Sequence, residues 1–146
     1  MSHERSNSHS RRLLEVIARF NPEMAGQLGV EGLDEEIVDL RPGFEERLVE
    51  ATAEVLRILR AETGRERDAG VAQDLQILIQ SGEDIIEEVE LDRRLLLPYI
   101  NLPRILFQGI RRLLDDQVEP ERRPAACVRL RKYAGRQGGP PVADLA

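Results

Sequence analysis

An all-α bundle is the fold class that this sequence predicts. Two segments, 44–62 and 68–92, carry apolar side chains stepped by three and four positions. Aromatic residues make up only 3% of the chain and tryptophan is absent, so a core must be assembled from Leu, Ile, Val and Ala, which favours helix packing. Apolar and polar residues alternate over no useful length, which leaves no strand signal. With 146 residues, 41% hydrophobic and 33% charged, the chain suits one soluble domain with a real core.

Residues 1–9 are polar and predict a disordered tail. They hold both histidines, His3 and His9. Zinc needs ligands converging from one face or a rigid loop, which this pair does not supply. Ser10 stands as the N-cap of a helix through Leu13, Leu14, Ile17 and Phe20. Asn21-Pro22 stops it, and Pro22 opens a short helix that Gly29 closes. Gly29, Gly32 and Gly43 punctuate the next segment, whose carboxylates Asp34, Glu35, Glu36 and Asp39 lack the register of a calcium loop and read as loop and cap groups.

Phe44, Leu48, Thr52, Val55 and Leu59, widened by Val49 and Leu56, predict a helix of about five turns that ends at Thr63-Gly64. The link to Asp68 is short, so the next helix, 68–92, runs antiparallel to it. Its seam is Val71, Leu75, Leu78, Gly82, Ile85 and Val89. Gly82 costs about 1 kcal/mol of helix propensity, so either a neighbour's backbone or a bulky side chain approaches there, or the helix kinks. The acidic run from Glu83 to Asp92 predicts a solvated face or the partner of basic residues, because a metal site needs convergent ligands from elsewhere.

Residues 91–116 hold most of the large apolar side chains. Pro98 and Pro103 interrupt helix, so Tyr99-Ile100-Asn101-Leu102 is predicted as a Pro-bounded, extended elbow. Ile105, Leu106, Phe107, Ile110, Leu113 and Leu114 then recur at helical spacing over 104–116, with Arg111 and Arg112 near the C-terminal end of the helix dipole. Pro120 and Pro124 each mark a start for the last helix. Val128, Leu130 and Tyr133 are its expected apolar contacts and Gly135 its stop. The domain therefore spans 10–135, and 136–146, rich in Gly and Pro, is expected to be a flexible tail. The region 95–110 has more apolar side chains than one helix buries against two neighbours. It is expected to self-associate unless the 10–20 helix folds back over it.

Charge divides unevenly. Residues 1–92 hold 10 basic and 22 acidic side chains, and residues 93–146 hold 11 basic and 5 acidic. The basic part has no recognised DNA-binding pattern and few aromatics for stacking bases, so no nucleic-acid partner is expected and the two parts are expected to pair with each other. Cys127, the single cysteine, fits a reducing cytoplasm and reads as a small apolar residue inside a helix. No apolar leader stands at the N-terminus, and no run approaches the ~18 apolar residues of a membrane span. A cytoplasmic protein without a membrane partner is expected. There is no Gly-rich phosphate loop and no Ser or Cys nucleophile motif, so no catalytic residue, cofactor or metal is assigned.

One resemblance accompanies this reading. LLLPYINLPRILFQGIRRLLDDQVEPERR (95–123), continuing to CVRLRKYAG (127–135), is similar to the N-terminal region of a large bacterial family named domain of unknown function 885. The pieces Asn21-Pro22-Glu23 through Leu28-Gly29, Asp34 to Leu40, and Gln73 to Ile79 resemble it in the same order, covering about 13–135. Longer members resemble gluzincin metallopeptidases and place a His-Glu-x-x-His zinc motif far downstream; this sequence holds none. The resemblance implies a non-catalytic helical scaffold, the front part of a longer putative hydrolase without its catalytic part. In gluzincin-like folds the N-terminal helices wall the substrate cleft, which implies cleft-lining or contact roles for Tyr99, Asn101, Gln108 and Arg111. The other readings are a stand-alone helical interaction module, and a fragment of a zinc peptidase that is active only when complete.

Overall fold

The helical spacing is realised as helix throughout the computed structural model, which describes residues 2–95 and 101–138. The elements are α1 (Ser2–Phe20), α2 (Pro22–Gln27), α3 (Phe44–Thr63), α4 (Ala69–Leu95), α5 (Leu102–Leu113), a 3-10 turn at Pro120–Arg122 and α6 (Ala125–Tyr133). Among the described residues no strand forms, and no helix is long and apolar enough to cross a membrane. The chain divides into two compact units. The first takes Met1–Val16 and Glu45–Pro98, the second Ile17–Phe44 and Tyr99–Ala146.

In the first unit α3 and α4 lie antiparallel. Arg60 pairs with Glu83 at 2.6 Å, while Arg93 reaches Glu45 at 2.6 Å and Glu46 at 2.7 Å, so the start of one helix meets the end of the other. Thr52, Val55, Leu56 and Leu59 are buried on α3, and Val71, Leu75, Gly82 and Val89 on α4. Each fully buried Leu or Val contributes about 1.5–3 kcal/mol. Gly82 is where a bulky neighbour enters: a Cβ there would stand 2.7 Å from Leu56 Cδ2 and 3.5 Å from Thr52 Cγ2. Asp68 caps α4, its Oδ1 accepting the N–H groups of Gly70 at 3.0 Å and Val71 at 3.2 Å.

Helix α1 begins at Ser2, eight residues before the expected N-cap, so the segment predicted as a disordered tail is helical. Polar residues gave no periodicity to read there. The contacts that hold this turn are polar as well: Arg5 pairs with Glu66 at 3.0 Å, and the Ser6 hydroxyl donates to Asp74. Thr52 carries a testable oddity, since it is fully buried and its hydroxyl has no hydrogen-bond partner. Replacing that hydroxyl by a methyl keeps the shape and removes the desolvation cost. Thr52→Val is expected to raise the unfolding free energy by about 1 kcal/mol in urea titration.

The second unit is built on Phe20, Ala25, Leu40, Leu113, Ala125, Ala126 and Tyr133, all buried. Phe20 meets Phe44 edge to face, ring centroids 5.8 Å apart. Helices α5 and α6 pack through Leu113 against Ala125 and Ala126, with Ile110 alongside. Asn21 caps α2 through Met24 N–H at 3.0 Å, and Gly29 beyond it takes φ +89°, the left-handed stop that its position predicted.

Several boundaries differ from expectation. Helix α4 continues to Leu95, and α5 starts at Leu102 with Pro103 in its first turn, where an N–H is dispensable. Of the predicted elbow, Tyr99 and Ile100 lie outside the described residues, as does 139–146 of the expected tail. On α6 the inward stripe is Ala125, Ala126, Arg129 and Tyr133, whereas Leu130, expected as a core contact, is 50% exposed. Cys127 lies inside α6, as expected, with its side chain exposed.

Candidate functional site

Helix α6 presents Arg129 and Tyr133 one turn apart on its inward face, which places a cation and a phenol inside the second unit, 4% and 2% exposed. The guanidinium satisfies its donors on backbone. Arg129 Nε donates to Glu36 O, Nη1 to Gly109 O and Nη2 to Leu33 O, each at 3.0 Å. One planar fork thereby ties the 28–43 segment to α5. The Tyr133 hydroxyl donates to Glu23 Oε1 at 2.6 Å and accepts the Val38 N–H at 3.5 Å. Glu23, on α2, is itself 8% exposed.

Two surface pairs reinforce the same segment. Arg122 holds Asp34 at 2.7 Å and Lys132 holds Glu36 at 3.0 Å, so basic residues of the C-terminal part meet carboxylates of the acidic part. The hydrogen bond from Arg122 lowers the Asp34 carboxyl below its usual value. Burial, and then the hydrogen bond to Glu23, raise the Tyr133 phenol well above the ordinary tyrosine value. A raised folded pKa means that the stability this phenol contributes is complete below about pH 10, where unfolded tyrosine is protonated, and is lost as pH rises further. Resistance to chemical unfolding is therefore expected to fall above about pH 10, and Tyr133→Phe to flatten that fall. A fall of equal depth in Tyr133→Phe would show that other groups cause it.

The polar centre also fixes how α5 is rotated. A Cβ at Gly109 would lie 2.0 Å from Glu23 Oε2, so α5 seats with its bare glycine against the carboxylate. At 100° per residue, Gly109 and Leu113 then face inward while Arg104, Phe107, Arg111 and Leu114, spaced three, four and three, share the opposite face. Phe107 is 61% exposed and Leu114 53%. Phe107, Ile110, Arg111, Leu114, Asp115 and Asp116 line an open groove of about 390 Å³.

No family model, curated protein or solved structure matches this chain. Its functional reading therefore rests on these residues. Of the four positions the resemblance pointed to, Arg111 lines the groove. Asn101 caps α5, its Oδ1 accepting the Arg104 N–H at 3.1 Å, and Gln108 is exposed without lining the groove. Tyr99 lies outside the described residues. Among those residues no group of three or more His, Cys, Asp or Glu is placed to hold a metal ion. Sequence reasoning missed Glu23, Gly109 and Arg129. One signal was present: a glycine inside an apolar helix, the same sign that revealed the close approach at Gly82.

Proposed function

We propose that this chain is a non-catalytic helical scaffold whose working surface is the outer face of α5, pressed against another protein surface. The observation that carries the reading is Phe107. A large aromatic stands 61% exposed on a helix whose opposite face is fixed by a buried polar centre, and exposed apolar patches rimmed by charge mark contact surfaces. The resemblance of 95–135 to the front of longer gluzincin-like proteins supports a scaffold role, in which the covering surface belongs to a longer fold. A stand-alone interaction module uses the same face on another chain, and zinc chemistry is assigned to neither.

Phe107→Asp tests this reading, because it removes the aromatic from the outer face and leaves the inward face intact. The variant is expected to keep its helicity and thermal transition, and to lose most of the enhanced fluorescence of a hydrophobic-surface dye and any protein association of the parent chain. Unchanged dye binding and association would show that the working surface is elsewhere.

A further inference from the structure

The α5 face carries charge as well as apolar surface, and the charge is ordered along it. Arg104 stands at the N-terminal end and Asp115 and Asp116 at the other, with Phe107, Arg111 and Leu114 between. Taking α5 as a contact surface, as the proposed function does, we infer that its partner is a second copy of this chain, laid antiparallel across a twofold axis.

The order of the residues gives the reason. A parallel copy would set Arg104 against Arg104 and the aspartates against each other. An antiparallel copy centred between Phe107 and Arg111 brings each Arg104 to the other copy's Asp115 and Asp116. The same register lays each Arg111 guanidinium across the other copy's Phe107 ring, a cation over an aromatic face. A twofold contact makes each of these pairs twice. The 3-4-3 spacing of Arg104, Phe107, Arg111 and Leu114 is what a shallow helix-helix crossing requires.

Asp116 is fully exposed, at 3.7 Å from Arg123, and the Asp115 carboxylate accepts the Gln117 N–H at 3.0 Å. The Asp115 carboxylate is thus already held in place. Helix α5 has 12 residues and is about 18 Å long, so this contact is at the small end of specific interfaces and a weak dimer is expected.

Charge reversal tests the pairing directly. Arg104→Glu and Asp116→Arg lie on exposed positions, and an acidic residue suits the first turn of a helix, so both variants are expected to keep the parental circular dichroism. In sedimentation equilibrium the intact chain is expected to dimerise, and each variant alone to associate at least about tenfold more weakly. Mixing the two in equal amounts is expected to restore the dimer, since each copy then meets opposite charge at both ends. A parental dimer indifferent to both reversals, or a mixture that stays as weak as its components, overturns the antiparallel pairing. A parent that is monomeric up to about 1 mM overturns the second copy as occupant. In that case the dye and Phe107→Asp decide separately: loss of dye binding leaves α5 a contact surface for something else, and unchanged binding removes that reading too.

Discussion

Gly109→Ala is expected to cost about 3 kcal/mol or more, an unusually large effect for adding one methyl group. The added Cβ would stand 2.0 Å from Glu23 Oε2, 2.4 Å from Cδ and 2.5 Å from Oε1. Ordinary overpacking is relieved when the far end of a flexible side chain swings away. Here that end is a carboxylate buried to 8% exposure and bonded to Tyr133, so retreat breaks a buried hydrogen bond or shifts α5. The gain in helix propensity, about 1 kcal/mol, does not offset this. Urea unfolding measures the loss. The cause is tested by repeating the substitution in a Glu23→Ala background, where the cost is expected to fall by more than 1 kcal/mol. An equal cost in both backgrounds would mean that the carboxylate is not what α5 rests on.

The two interior glycines show which parts of the fold can be read in the chain. Gly82 lies in a seam of regularly spaced apolar residues, so a close approach there was legible, though not whether backbone or side chain makes it, and the Leu56 side chain fills that place. Gly109 sits in an equally apolar helix, but its neighbour is a carboxylate more than eighty positions away. Glutamate and arginine are ordinarily surface residues, and nothing local distinguishes Glu23 or Arg129 from the many others in this sequence. Helix α1 was shortened for the opposite reason: its first turns are held by Arg5 and Ser6 rather than by an apolar stripe.

Arg129→Met should be the second severe substitution, costing about 3–5 kcal/mol. Methionine keeps most of the aliphatic stem but leaves the carbonyls of Leu33, Glu36 and Gly109 without their shared donor. Those three groups belong to two different elements, so the loss is both of solvation and of tethering. Amide exchange is expected to accelerate through residues 28–43 before it does in α3 and α4. Arg129→Lys is expected to recover only part of the loss, because one ammonium cannot meet three carbonyls that a planar fork spans. Full stability in the lysine variant would contradict the clamp. Of the positions suggested by resemblance that lie among the described residues, only Arg111 falls in the α5 groove. Helical spacing put it on the outer face, whereas the polar centre that makes that face outward is formed by contacts between distant residues.

On the proposed function, this polar centre turns Phe107, Arg111 and Leu114 outward as a contact surface. Amide chemical shifts followed from about 10 μM to about 1 mM test it most directly. Concentration-dependent shifts confined to Arg104, Phe107, Arg111 and Leu114 to Asp116, with the inward Gly109 and Arg129 unmoved, are the predicted result. Shifts that map to α3 and α4, or none at any concentration, would contradict it.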